Sequence, residues 1–148
     1  MKILMLIYSD TGNTLLVAKK IKQEMETKKN KVIIVMVPKK SINEKKVMTF
    51  NIVDYDKIII GSPVHAFSLS SVMKDYLNQI NEFKQKEIAC FVTQQFSKSW
   101  LGGNRAINQI RKLVNNKNGM IIKTGVVNWS NKDREKQIER IAIDFSNI

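Results

Sequence analysis

The chain has 148 residues, 43% hydrophobic and 26% charged, which suits one globular domain over residues 1–148 and leaves little room for a second. No apolar run approaches the ~20 residues of a membrane span, and a single cysteine (Cys90) and a single histidine (His65) exclude an intramolecular disulfide and any metal site built on several of either. The net charge of +12 attracts anions and acidic partners. The lysines are scattered through most of the chain with no nucleic-acid motif among them, so nucleic acid is not the expected partner.

The start, Met1 to Tyr8, has a basic residue and then an apolar run, superficially like a signal peptide. The run is too short, and a polar turn follows where a cleavage site would stand, so it reads as a strand of a cytoplasmic protein. The strand covers Lys2 to Tyr8 and is apolar on both faces, as in a parallel sheet covered by helices. Asn13 to Thr27 follows as a helix, with Leu15, Leu16, Ala18, Ile21 and Met25 at near-helical spacing and lysines opposite. Lys31 to Val37 is a second strand, stopped by Pro38. Lys39 to Asn51 has no clear period and is read as a short helix or an irregular crossover.

Lys57 to Gly61 is the third strand. Ser70 or Ser71 is placed to cap a helix running to about Asn81. Glu87 to Thr93 is the fourth strand, and Cys90 within it reads as a small buried hydrophobe. A helix over Asn104 to Val114, a fifth strand over Met120 to Val127 and a last helix over Asp133 to Phe145 complete the pattern. Strands alternating with helices predict an α/β three-layer sandwich around a five-stranded parallel sheet joined by right-handed crossovers, with the order 2-1-3-4-5. In such a sheet a ligand lies beyond the carboxyl ends of the strands where the winding reverses. The loops after strands one, three and four are therefore where chemistry is expected.

The first of these loops reads Ser9-Asp10-Thr11-Gly12-Asn13-Thr14, and a helix opens behind it. Unpaired amides and the helix dipole favour an anion there. Ser9, Thr11 and Thr14 add hydroxyl donors, and Gly12 allows a close approach of the backbone. The loop has neither a Walker pattern nor the three-glycine dinucleotide fingerprint.

Tyr8-Ser9-Asp10-Thr11-Gly12-Asn13-Thr14 resembles the phosphate-loop signature of the flavodoxin family. That resemblance implies a flavodoxin-like fold and a bound flavin mononucleotide (FMN). Its terminal phosphate would lie against Ser9, Thr11, Gly12, Asn13 and Thr14, with Asp10 contributing its backbone and its carboxylate turned away. The second loop, Gly61-Ser62-Pro63-Val64-His65-Ala66-Phe67, is similar to the family's segment beside the flavin ring, so Pro63, Val64, His65, Ala66 and Phe67 are implied cofactor contacts. His65 stands where relatives often carry tyrosine or tryptophan. In the third loop the resemblance places Thr93, Gln94 and Gln95 at the flavin's pyrimidine edge, with Phe96 and Trp100 as covers for a ring face.

The chain departs from the family's electron carriers in charge. Those proteins are acidic around the flavin, which resists formation of its anionic reduced state, whereas the third loop here holds Lys98 and no acid. One unit charge ~7 Å from the ring at an effective permittivity of ~20 is worth roughly 2 kcal/mol, on the order of 100 mV for a one-electron step, and solvent screening reduces it. The resemblance therefore implies electron transfer through FMN, with redox proteins or NAD(P)H as partners and acidic partner surfaces preferred. A small NAD(P)H-dependent FMN or quinone reductase of the same fold and a non-catalytic binding module are the alternatives. No side chain demands a role as nucleophile or general base.

Overall fold

The structure is a computed structural model that describes residues 1–39 and 48–148. Strand β1 spans Lys2–Ile7, helix α1 Asn13–Thr27 and strand β2 Lys31–Met36. A 3-10 turn at Ile52–Asp54, which no sequence pattern announced, leads into β3 at Lys57–His65. Then come β4 (Ser68–Leu69), α2 (Ser71–Gln79), β5 (Glu87–Gln94), α3 (Gly103–Asn115), β6 (Met120–Asn128) and α4 (Arg134–Ser146). Most of the crossover expected over Lys39 to Asn51 lies outside the described residues.

Five parallel strands pair in the order β2-β1-β3-β5-β6, and β4 pairs antiparallel with the end of β3. The parallel order is the predicted 2-1-3-4-5, with β5 and β6 as its fourth and fifth strands. Alternate side chains of β1 supply two cores, because successive residues of a strand face opposite sides. Leu4 and Leu6, with Tyr8 just past the strand, pack with Met73, Leu77, Ile107 and Ile110 of α2 and α3. Ile3, Met5 and Ile7 pack with Val17, Ile21, Ile138 and Phe145 of α1 and α4. No helix among the described residues is long and apolar enough to cross a membrane.

Two departures from the expected elements matter to the site. First, β3 does not stop at Gly61. It carries Ser62 through His65 onward and turns back at Ala66 and Phe67 into β4, with His65 opposite Ser68 and Val64 opposite Leu69. Both turn residues have positive φ, 49° and 63°, which a two-residue hairpin loop of this hand requires. Alanine and phenylalanine rarely take that backbone, so no turn signal stands in the sequence. Second, Ser70 occupies the N-cap of α2, but its hydroxyl makes no capping bond and is buried without a partner.

Cys90 lies fully buried in the middle of β5. Burial pushes its thiol up to about 12, with the charge of Arg111 offsetting part of the rise. The thiolate is the reactive form, so Cys90 should resist a thiol-directed dye at neutral pH in the folded protein and react once denaturant unfolds it. Rapid stoichiometric labelling without denaturant would contradict this burial.

Candidate functional site

The carboxyl ends of β1, β3 and β5 bring the three loops to one edge of the sheet. The first loop leaves β1 at Tyr8, whose amide donates to Gly61 O at 3.0 Å and so holds the loop's root to β3. Gly12 then takes φ 94°, a left-handed backbone that opens α1 without a side-chain cap. Ser9 replaces that cap from further back: its hydroxyl oxygen accepts from Leu15 N at 3.2 Å, leaving its own proton free to donate. Among the described residues, no protein acceptor meets the N–H groups of Thr11, Gly12, Asn13 or Thr14. A Cβ built on Gly12 would find no atom within 4 Å, so open space lies at the loop. Asp10, Thr11 and Gly12 are exposed and Asn13 half-buried.

Thr14 turns inward. Its hydroxyl shares a buried hydrogen bond of 2.9 Å with the Thr93 hydroxyl at the end of β5. One of the two protons is spent in that bond and the other remains to donate. The contact ties the first loop to the third.

The second loop is the β3–β4 hairpin. Pro63 lies opposite Thr93 and contributes no amide to the ladder. Val64 is half-buried, whereas His65, Ala66 and Phe67 are exposed. His65 reaches back to the first loop, its Nε2 3.7 Å from the Asp10 carboxylate, with the Tyr8 ring edge-on at 6.3 Å. The other oxygen of Asp10 lies 3.6 Å from Lys39 Nζ. Phe67 stacks on Phe96 of the third loop, ring centres 4.8 Å apart and planes 13° from parallel. Trp100 stands outside that stack, 69% exposed.

The third loop is fastened from below. Gln94 is buried, and its amide nitrogen donates to Lys98 O at 2.8 Å and to Asn128 Oδ1 at 2.6 Å. The Gln94 side chain is thus committed to the loop and to β6, and its Oε1 is buried without a partner. Gln95 is exposed beside it.

Several residues that shape the site carry no local motif. Gln109 of α3 accepts from Leu69 N at 2.7 Å and bonds the Ser68 hydroxyl, pinning β4 to the helix. Gly102, at φ 124°, presses on the hairpin so closely that a Cβ would sit 2.8 Å from Phe67 Cα. The adjacent Gly102 and Gly103 are the one signal in the sequence that could have marked that approach. Nothing local marks Gln109, or Lys39 as a partner of Asp10.

The sequence profile described as "Flavodoxin domain" matches residues 4–118. The two-electron reduced flavodoxin of Megasphaera elsdenii is 15% identical with a TM-score of 0.70, and 99% of each chain is covered. A flavodoxin, WrbA-like protein from Agrobacterium tumefaciens is 12% identical with a TM-score of 0.76, covering 99% of this chain and 94% of that one. The azoreductase AzrA is 10% identical with a TM-score of 0.71, covering 99% and 98%. At such identities these likenesses carry the fold alone. No curated protein sequence matches the chain. The profile match spans most of the chain, including all three loops, and on that ground the chain belongs to the flavodoxin domain family.

Proposed function

We propose that this protein binds FMN and serves as a flavodoxin-like redox protein, exchanging electrons with partner proteins or NAD(P)H. The observation that carries the reading is the row of amides at Thr11, Gly12, Asn13 and Thr14 that meet no acceptor among the described residues, beside open space and next to hydroxyls with protons to give. A phosphate monoester fits that donor set, since charge-assisted bonds from amides and alcohols at a helix start are what such an anion requires. The flavin, when bound, supplies the redox chemistry. The chain's own residues bind, orient and shield. The first loop holds the phosphate, and the Thr14–Thr93 bond fixes that loop against β5. Phe67, Phe96, Trp100 and His65 offer flat surfaces to a ring system and exclude water from it. The only acid in the three loops, Asp10, faces Lys39 and His65. The loops therefore lack the negative surround that opposes an anionic flavin.

The small NAD(P)H-dependent FMN or quinone reductase is the second reading. It is favoured by the net charge of +12, which draws an anionic nicotinamide cofactor toward the surface.

The phosphate reading has a direct test. FMN should bind roughly a hundredfold tighter than riboflavin, the worth of two or so charge-assisted hydrogen bonds, measured by quenching of flavin fluorescence. Equal affinities would place the site elsewhere, and no binding of either would favour the non-catalytic module. Gly12→Val should weaken FMN at least about tenfold while the far-ultraviolet circular dichroism stays native, because a β-branched residue at positive φ strains the loop by about 1–2 kcal/mol and fills the space before the amides. Anaerobic NADH or NADPH should bleach the bound flavin within seconds if the reductase reading holds. Bleaching only through an added redox protein assigns the chain to electron transfer.

A further inference from the structure

Asp10 is out of place in a loop built to receive an anion. It is the only carboxylate in the three loops, and two cations face it from different elements. Lys39, beyond β2, stands 3.6 Å from one oxygen, and His65, at the end of β3, stands 3.7 Å from the other. Among the described residues, Tyr8 also faces His65, with its ring edge-on.

We infer that Asp10 and His65 form a proton-dependent charge gate on the first-loop anion site, so that a doubly charged oxyanion seated there binds together with a proton on His65. The inference rests on the phosphate reading of that loop. With the imidazole neutral, Lys39 compensates Asp10, and among the described residues these three groups sum to zero before a dianion arrives. With the imidazole protonated, the three groups sum to +1 before the anion arrives. Linkage makes the effect reciprocal: the proton favours the anion, and the anion favours the proton to the same degree. Anion affinity is therefore highest at low pH and falls as pH rises through the imidazole titration. The side chains of Asp10 and His65 are 38% and 44% exposed, so solvent keeps the coupling modest.

His65 is the chain's only histidine, so its imidazole proton signal needs no assignment. The probe is sulfate, which keeps its charge across the range, added to the flavin-free protein. Saturating sulfate should move the His65 titration to higher pH. Sulfate affinity should fall roughly three- to tenfold between about pH 5.5 and about pH 8. His65→Asn should hold sulfate at the weak, high-pH affinity throughout. Asp10→Asn should tighten sulfate at the upper pH and shrink the ratio. A His65 titration that sulfate leaves in place, or a pH ratio that survives in His65→Asn, overturns the gate. If FMN binds normally while sulfate leaves His65 undisturbed, the gate alone is wrong. If neither FMN nor sulfate binds, the anion site itself is wrong and the gate goes with it.

Discussion

The buried hydrogen bond between Thr14 and Thr93 joins the start of α1 to the end of β5, two strands away in the sheet. Its geometry exists only because β1 sends its chain one way along the sheet and β3 the other. The reversal leaves a crevice between the first loop and the later ones. A hydroxyl pair across that crevice is satisfied internally, which matters because an unpaired buried hydroxyl costs about 1–3 kcal/mol. The same bond ties the start of α1, where the amides of Thr11 to Thr14 lie, to the end of β5.

The other two loops are held by different means. Gln109 and Gly102 press the hairpin onto α3, one through hydrogen bonds and the other through the absence of a side chain. That pressure explains why Ala66 and Phe67 persist at positive φ, a strained backbone that survives only where surrounding contacts over-determine it. The strain has a product: it carries Phe67 to the rim, where it lies flat on Phe96. Gln94 does the matching work under the third loop, bonding Lys98 O and Asn128 together. A site whose walls are fixed by buried contacts can offer exposed aromatic surface without losing its shape.

The loops of the site carry little negative charge. Acids are absent from the second and third loops, and the single one in the first is held between a lysine and the only histidine. The Asp10 carboxylate is thus held between side chains from two other segments, beyond β2 and at the end of β3.

How much of this was legible depended on the range of the interaction. Element type follows from side-chain period, which a sheet with helices on both sides imprints on consecutive residues. The five parallel strands, the four helices and the parallel order were accordingly readable from Lys2 onward, and so was the composition of the first loop, whose hydroxyls and glycine are neighbours in the chain. The hairpin at Ala66 and Phe67 was not readable, because its turn residues have no preference for that backbone and contacts from Gly102 and Gln109 impose it. Ser70 looked like a helix cap and is an orphaned hydroxyl instead, since its side chain points where packing sends it. Gln94 read as a ligand contact, and its side-chain amide nitrogen is engaged by Lys98 and Asn128. The pairing of Asp10 with His65 and Lys39 joins residues from three segments, a distance-dependent interaction with no imprint on local sequence. The sequence by itself determined the alternation of strands and helices and the composition of each loop. Tertiary structure alone decided which donors stay free, which are consumed, and which charges face one another, because those depend on what packing brings within hydrogen-bond and Coulomb range.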